Sequence, residues 1–246
     1  MRILAICGSP RKGNSYSVLN YIKENYPAID FKLLMLNEVN LNSCKGCYTC
    51  VLLGEEKCPL KDDRDMIVQE MIDVDGIVSA SPTYATQVPG ILKNFIDRIS
   101  YFGHRPRFFD KFSMSIATGA GYGIDEPNKY MNKMFSGFGF SVVPSLELQV
   151  LPKKIMSEKR KEDNQKKIIK AFDVFIDRIK KKKRDKPSND LVIVFNIFKT
   201  VSELCKDVYK ADYEYYKDKT DYYYDTKISF YQKLIAKSVV NKVMKG

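Results

Sequence analysis

The stretch Met1-Arg2-Ile3-Leu4-Ala5-Ile6-Cys7-Gly8-Ser9-Pro10-Arg11-Lys12-Gly13-Asn14-Ser15 decides how the chain is to be read. Residues 1–7 form a mostly apolar run, the pattern of a parallel strand buried on both faces. Tyr16 to Ile22 then carries helical spacing. A strand that breaks into a polar loop and opens a helix offers backbone N–H groups and the positive end of a helix dipole, which suits phosphate. Gly8 and Gly13 are spaced as in a P-loop, but Asn14-Ser15 stands where Lys-Ser or Lys-Thr is required. The Gly-x-Gly-x-x-Gly of dinucleotide sites is missing too. Short donors at Ser9, Asn14, Ser15 and Ser17, with Arg11 as a fork, suit one terminal phosphate. A polar turn that holds nothing is the plain alternative.

Further strands follow at regular intervals. Asp30 to Leu36, Gly76 to Ala80, Phe112 to Ala117 and Ser145 to Val150 are predicted as the second to fifth. Between them, Asp62-Asp63 caps a helix whose face is Met66, Ile67, Met71 and Ile72. Pro89 opens a helix carrying Ile91, Leu92, Phe95 and Ile96, and another runs through Tyr130, Met131 and Met134. This alternation predicts an α/β fold, a doubly wound five-stranded parallel sheet in the flavodoxin-like order 2-1-3-4-5. Ligands of such sheets sit beyond the carboxyl ends of the strands. Three polar or glycine-rich loops lie there: 8–15, Pro82 to Val88, and Thr118 to Gly123.

Past Pro152 the composition shifts. A long charged helix from Lys153 to Arg184 has an apolar stripe at Ile168, Phe172, Phe175, Ile176 and Ile179, and Asp185 to Asp190 breaks it. Eight of the sixteen tyrosines fall between Tyr209 and Tyr231. The chain ends in a basic amphipathic helix with Ile228, Leu234, Ile235, Val239 and Val243 on its apolar side. We therefore expect a domain at 1–185 with a cysteine-rich insertion at 43–62, and a basic, mainly helical C-terminal extension at 186–246. Residues 1–150 hold 16 basic and 16 acidic side chains, so the whole net charge of +11 belongs to 151–246. No nucleic-acid-binding motif presents that charge, and no nucleic-acid partner is expected. Peripheral contact of the basic tail with an anionic membrane is the less favoured use of it; packing on protein is preferred.

No apolar run approaches the roughly eighteen residues of a membrane span. The N-terminal run stops at Gly8-Ser9-Pro10, unlike a signal peptide, and a cytoplasmic protein is expected. Six cysteines in that compartment read as ligands or thiols rather than disulfides. His104 is the sole histidine, which argues against a Ser-His or Cys-His hydrolase.

An isoalloxazine ring needs flat aromatic or backbone surfaces and N–H donors at its edge. The loops Ser81-Pro82-Thr83-Tyr84-Ala85-Thr86-Gln87-Val88 and 118–123 supply both. Taken in order, the strand with GSPRKGNS, then CKGCYTCVLLGEEKCPLKDD, SPTYATQVPGILKNFIDR and HRPRFFDKFSMSIATGAGYG, resemble the NAD(P)H-dependent FMN reductase family, in its iron–sulfur flavoprotein branch. The resemblance covers roughly residues 1–150. It implies FMN, with Ser9, Arg11, Asn14 and Ser15 at the phosphate, beside the donor Ser17. It places Pro82, Thr83, Tyr84 and Gln87 along the ribityl chain and ring, and Thr118, Gly119 and Gly121 at the ring's other edge. It also implies a homodimer or higher homo-oligomer that completes the flavin site.

The cysteine segment reads Cys44-x2-Cys47-x2-Cys50-x7-Cys58-Pro59. Three cysteines so spaced can wrap one face of a cubane, with a fourth arriving from a short loop, as in compact ferredoxin runs. The resemblance adds that cluster motifs of that branch have this form, which implies a [4Fe-4S] cluster on Cys44, Cys47, Cys50 and Cys58. Zinc and bare thiols are the alternatives. Cys7 reads as core, and Cys205 has no assigned role. His104-Arg105-Pro106-Arg107 reads either as a contact for nicotinamide-dinucleotide phosphates or as an exposed basic loop.

The expected function is an FMN-dependent oxidoreductase. It moves electrons from NAD(P)H or a ferredoxin-like donor to a quinone, metal or other small-molecule or protein acceptor. No catalytic side chain is assigned, because hydride transfer at flavin N5 needs orientation more than a base. A flavodoxin-type electron carrier without a nicotinamide site is the alternative.

Overall fold

In the computed structural model, which describes residues 1–152 and 154–245, the opening apolar run is strand β1 (Arg2–Cys7), with residues 3–7 wholly buried. It pairs in parallel with β2 (Asp30–Met35) on one side and β3 (Gly76–Pro82) on the other, so that Ile3 lies between Phe31 and Gly76. β4 (Phe112–Gly119) follows on β3. Two short strands, β5 (Ser141–Val142) and β6 (Leu146–Gln149), share the next position, both parallel to β4. The order β2-β1-β3-β4-β5 is the expected one, with six strands in place of five. Pro144 accounts for the split: lacking an N–H, it cannot continue the ladder that Val143 extends with its bond to the Ser113 carbonyl at 2.8 Å.

The helices are α1 (Asn14–Asn25), α2 (Thr49–Leu52), α3 (Arg64–Asp73), α4 (Gly90–Arg98), α5 (Glu126–Gly137), α6 (Glu158–Lys180), α7 (Asn189–Leu204), α8 (Lys210–Tyr216) and α9 (Phe230–Lys245). Side chains alternate across a strand. Ile3, Ala5 and Cys7 therefore face Val18, Leu19 and Ile22 of α1 and the stripe Ile168, Phe172, Phe175, Ile176 and Ile179 of α6 in one core. That stripe is the one its spacing predicts. On the opposite face the Ser79 hydroxyl reaches the Met131 sulfur of α5 at 3.4 Å. Helices on both faces make the sheet doubly wound, a flavodoxin-like α/β fold.

Two helix faces differ from expectation. α3 buries Arg64, Ile67, Val68 and Met71, while Met66 and Ile72 are exposed. The buried set has the i, i+3, i+4, i+7 spacing of a single stripe, which the pair Met66 and Ile72 does not share. The long charged helix is shorter than Lys153 to Arg184. It starts where the Ser157 hydroxyl accepts the Arg160 N–H at 3.3 Å, and Lys153 lies outside the described residues.

By compactness the chain divides into two units. One comprises residues 1–44, 62–100 and 107–184 and carries the sheet; the other comprises residues 45–61, 101–106 and 185–246. The second has its own core of Val192, Phe195, Tyr216, Tyr222, Ile228 and Ala236. In α9 the buried side chains are Ala236 and Val240, whereas Leu234 and Val243 are exposed. Ala236 joins Val192 and Phe195 of α7 in that core. Among the described residues no helix is long and apolar enough to cross a membrane.

Candidate functional site

Three loops leave the carboxyl ends of β1, β3 and β4. In the first, the Gly8 N–H donates to the Ala80 carbonyl at 2.8 Å, and a Cβ at Gly8 would lie 2.6 Å from Leu92 Cδ2. The buried Ser9 hydroxyl donates to the Arg11 carbonyl at 2.7 Å, and the Gly13 N–H reaches the same oxygen at 2.8 Å. Gly13 occupies the N-cap of α1 and brings no side chain to cap it. The N–H groups of Asn14, Ser15 and Tyr16 therefore have no acceptor within the helix, and they sit at the positive end of its dipole. Ser17 is the first to find one, its N–H reaching the Gly13 carbonyl at 2.9 Å while its hydroxyl donates to the same oxygen at 3.2 Å.

The expected phosphate donors thus divide. Ser9, Ser15 and Ser17 spend their hydroxyls on the protein, and Arg11 and Asn14 are exposed. The Ser15 hydroxyl and the Thr118 hydroxyl share a buried hydrogen bond of 2.9 Å, which ties the first loop to the third.

In the second loop the Thr83 N–H donates to the Thr118 carbonyl at 2.9 Å, prolonging the ladder between β3 and β4. Tyr84 and Gln87 then exchange backbone hydrogen bonds of 2.8 and 2.9 Å around Ala85 (φ 47°) and Thr86 (φ 62°). Left-handed conformations at two non-glycine residues, one β-branched, are strained; such turns normally use Asn-Gly or Gly-Gly. The third loop crowds this turn: a Cβ at Gly123 (φ 65°) would meet Thr86 Cγ2 at 2.6 Å. Thr83 Oγ1 is buried without a hydrogen-bond partner among the described residues, and a Cβ at Gly119 would lie 3.0 Å from it. Pro82 is half-buried, Gln87 and the Tyr84 ring are exposed, and Gly121 takes φ 153°. Beside this loop Gln149 donates from Nε2 to the Ala120 carbonyl at 2.7 Å and accepts from Arg160 at 2.8 Å, lining a polar pocket of about 470 Å³.

These residues fit FMN on two observations. The uncapped N-terminus of α1 suits a phosphate, and a buried hydroxyl without a partner lies among loops whose glycines leave no Cβ in the way.

The cysteine insertion is fastened at its stems. The Cys44 N–H donates to Asn94 Oδ1 at 3.3 Å, and Asn94 Nδ2 donates to the Leu41 and Asn42 carbonyls at 3.2 and 3.4 Å. Asp63 and Asp62 accept the N–H groups of Asn40 and Asn42 at 2.8 and 2.9 Å. Cys44 and Cys47 are exposed, Cys50 is half-buried and Cys58 is buried; none of the six cysteines is in a disulfide. Hydrogen bonds from the Thr49 hydroxyl, 3.3 Å from the Cys47 sulfur, and from the Thr49 N–H lower the pKa of the Cys47 thiol. Burial pushes the Cys7 thiol up instead, in keeping with a core role. The donor set has the thiolate chemistry of an iron–sulfur site, yet among the described residues no three His, Cys, Asp or Glu side chains converge to hold a metal ion.

One reading of the HRPR stretch is corrected. Arg105 is buried and bonded on all sides within its unit, so it faces neither a dinucleotide nor solvent. Burial alone would lower its pKa, but the Asp212 and Glu55 carboxylates outweigh this and raise it. His104 Nδ1 lies 2.9 Å from Asp212 Oδ2, and its ring packs against Phe198 with centroids 4.3 Å apart. Asn94, Asp212 and Gln149 were not among the expected site residues, and Arg105 was expected in another role. Asn94 at least had a local signal, as a polar residue inside an amphipathic helix.

The family model for NADPH-dependent FMN reductase matches residues 1–151. An iron–sulfur flavoprotein of Archaeoglobus fulgidus is 32% identical over 227 residues, covering 89% of this chain and 98% of that protein. Among solved structures, RosB with the bound intermediate 8-demethyl-8-formylriboflavin-5'-phosphate matches 94% of this chain and 92% of its own, with a TM-score of 0.57 at 12% identity. FerB of Paracoccus denitrificans, a flavoenzyme NAD(P)H:(acceptor) oxidoreductase, matches 73% of this chain and 97% of its own, with a TM-score of 0.54 at 18% identity.

Proposed function

The chain belongs to the NADPH-dependent FMN reductase family, in its iron–sulfur flavoprotein branch, and we propose that it takes electrons from NAD(P)H or a ferredoxin-like donor and passes them to a quinone, metal or other acceptor. FMN-dependent oxidoreduction is the coarse function of the family. The donor and acceptor are our reading, supported by the NAD(P)H:(acceptor) oxidoreductase activity for which FerB is named and by the fold that it shares with this chain.

The observation that carries the proposal is the Ser15–Thr118 hydrogen bond, which brings the uncapped start of α1 and the third loop to one place. When bound there, FMN supplies the chemistry, taking a hydride or releasing electrons singly. The N–H groups of residues 14–16 would hold the phosphate, with Arg11 and Asn14 closing over it and Ser9, Ser15 and Ser17 shaping the loop. Thr83 would donate its otherwise unused hydroxyl to the ribityl chain or ring, while Pro82, Tyr84 and Gln87 flank it. Thr118, Gly119 and Gly121 would let backbone approach the ring's far edge. The exposure of Tyr84 and Tyr122, large aromatics on these loops, supports a second copy of the chain completing the site.

Cys44, Cys47, Cys50 and Cys58 would hold a [4Fe-4S] cluster. Their spacing and the name of the A. fulgidus relative support this. Among the described residues these side chains do not converge on a metal position.

Anaerobic stopped-flow mixing of the flavin-loaded protein with NADH and with NADPH tests the reductase. Bleaching of the flavin absorbance by one of them is expected; bleaching by neither would leave a flavodoxin-type carrier in its place.

A further inference from the structure

Arg105 lies in a stretch with no regular partner strand or helix of its own, yet it is 3% exposed. Its guanidinium makes four hydrogen bonds in two directions. Towards the cysteine segment, Nη1 donates to the Val51 carbonyl at 3.0 Å, and Nη2 donates to the Cys50 carbonyl at 2.5 Å and to Glu55 Oε2 at 3.0 Å. Towards the C-terminal part, Nη1 also donates to Asp212 of α8, itself buried. The second Asp212 oxygen lies 2.9 Å from His104 Nδ1. The Tyr216 hydroxyl donates to the His104 carbonyl at 2.6 Å, and the Tyr215 hydroxyl donates to the Pro106 carbonyl. The carbonyls of Cys50 and Val51 belong to the last turn of α2, a four-residue helix too short to stand by itself. Without the guanidinium, those oxygens and the Asp212 carboxylate would be left without it in a dry environment, which is costly.

We infer that Arg105 and Asp212 are a positioning pair through which the C-terminal extension holds the segment carrying Cys47, Cys50 and Cys58 in one fixed conformation. An arginine suits the task because its planar fork can bond two successive carbonyls and two carboxylates at once, which a lysine cannot do. Any use of that rigidity for a cluster rests on the cluster reading above. The clamp itself does not. It gives the extension a role that its basic, tyrosine-rich composition does not suggest.

Thiol alkylation of the cluster-free, FMN-loaded full chain, mapped by mass spectrometry, tests the pair in Asp212→Asn and Arg105→Lys. Cys58 is buried, so its labelling by iodoacetamide requires the segment to open, and the half-buried Cys50 is a second reporter of the same opening. Both are expected to label about tenfold faster or more in the two variants. The exposed Cys205 should keep its rate, and Cys7, buried in β1, should stay protected. If Cys7 opens as well, the fold has been lost, and the milder Glu55→Gln, which alters only the half-exposed partner of the same guanidinium, must show the Cys50 and Cys58 acceleration by itself. Unchanged rates at Cys50 and Cys58 in folded variants would overturn the inference.

Reconstitution with iron and sulfide then separates the two readings. A wild type that takes up iron, and variants that take up less or show a shifted cluster reduction potential, support both. A wild type that takes up none removes the cluster and leaves the labelling result standing.

Discussion

Asp62 accepts the Arg98 guanidinium at 2.7 Å with both side chains buried, so the residue that closes the cysteine insertion is locked to the end of α4. The same carboxylate accepts the Arg64 N–H at 3.2 Å and the Asn42 N–H at 2.9 Å. One acidic group therefore joins both stems of the insertion, the start of α3 and the helix that packs beneath Gly8. An ion pair and hydrogen bonds thus hold the stems of the loop that carries the thiols.

Removing one partner of a buried pair strands the other. Asp62→Ala is expected to cost about 3–5 kcal/mol in urea unfolding at neutral pH. Burial pushes the Asp62 pKa up, but the Arg98 guanidinium and the two N–H donors outweigh it and leave the group below the ordinary carboxylate value. A depressed folded-state pKa gives stability that is present above the unfolded value near 4 and is lost as pH falls through the folded one. The gap between wild type and Asp62→Ala should accordingly narrow on acidification below about pH 4.

Gly8 leaves no room for a Cβ against Leu92. Gly8→Ala should lower stability by about 1–3 kcal/mol through overpacking and weaken flavin binding by displacing the loop. Gly8→Ala with Leu92→Val should recover part of both losses, measured by thermal unfolding and flavin fluorescence titration. A second substitution that recovers nothing would show that the crowding at Leu92 is not the cause.

Ser15→Ala and Thr118→Val each break the side-chain bond between the first and third loops. Each should cost about 1 kcal/mol of stability. Flavin affinity should fall by about fivefold to tenfold, and the double variant should be little worse than either single one. Additive losses in the double variant would mean that the two hydroxyls act separately.

The opening stretch was legible because a strand buried on both faces is written as an apolar run, and because a glycine at a helix start needs no tertiary context to be read. The α6 stripe was legible for the same reason, since five apolar residues at helical spacing face one core. Arg105 was not. Its local neighbours, His104, Pro106 and Arg107, describe a surface loop, and the carboxylate that buries it stands 107 residues away. The engagement of Ser15 was hidden likewise, because Thr118 is 103 residues distant. Sequence spacing identifies which side chains can donate; it does not tell which have already been used by the fold. For the terminal helix the expected apolar side is met in part: Ile228 is buried and Ile235 and Val239 are half-buried, whereas Leu234 and Val243 are exposed.

A flavin enzyme whose cysteine segment carries a cluster, as proposed, is tested most directly by the composition of the anaerobically purified protein. Flavin extracted and identified by chromatography, together with iron and acid-labile sulfide per chain, should give one FMN and about four of each inorganic element. FMN without iron would contradict the cluster and reduce the cysteines to thiols. Neither flavin nor iron, from protein that is folded and supplied with both, would contradict the account as a whole.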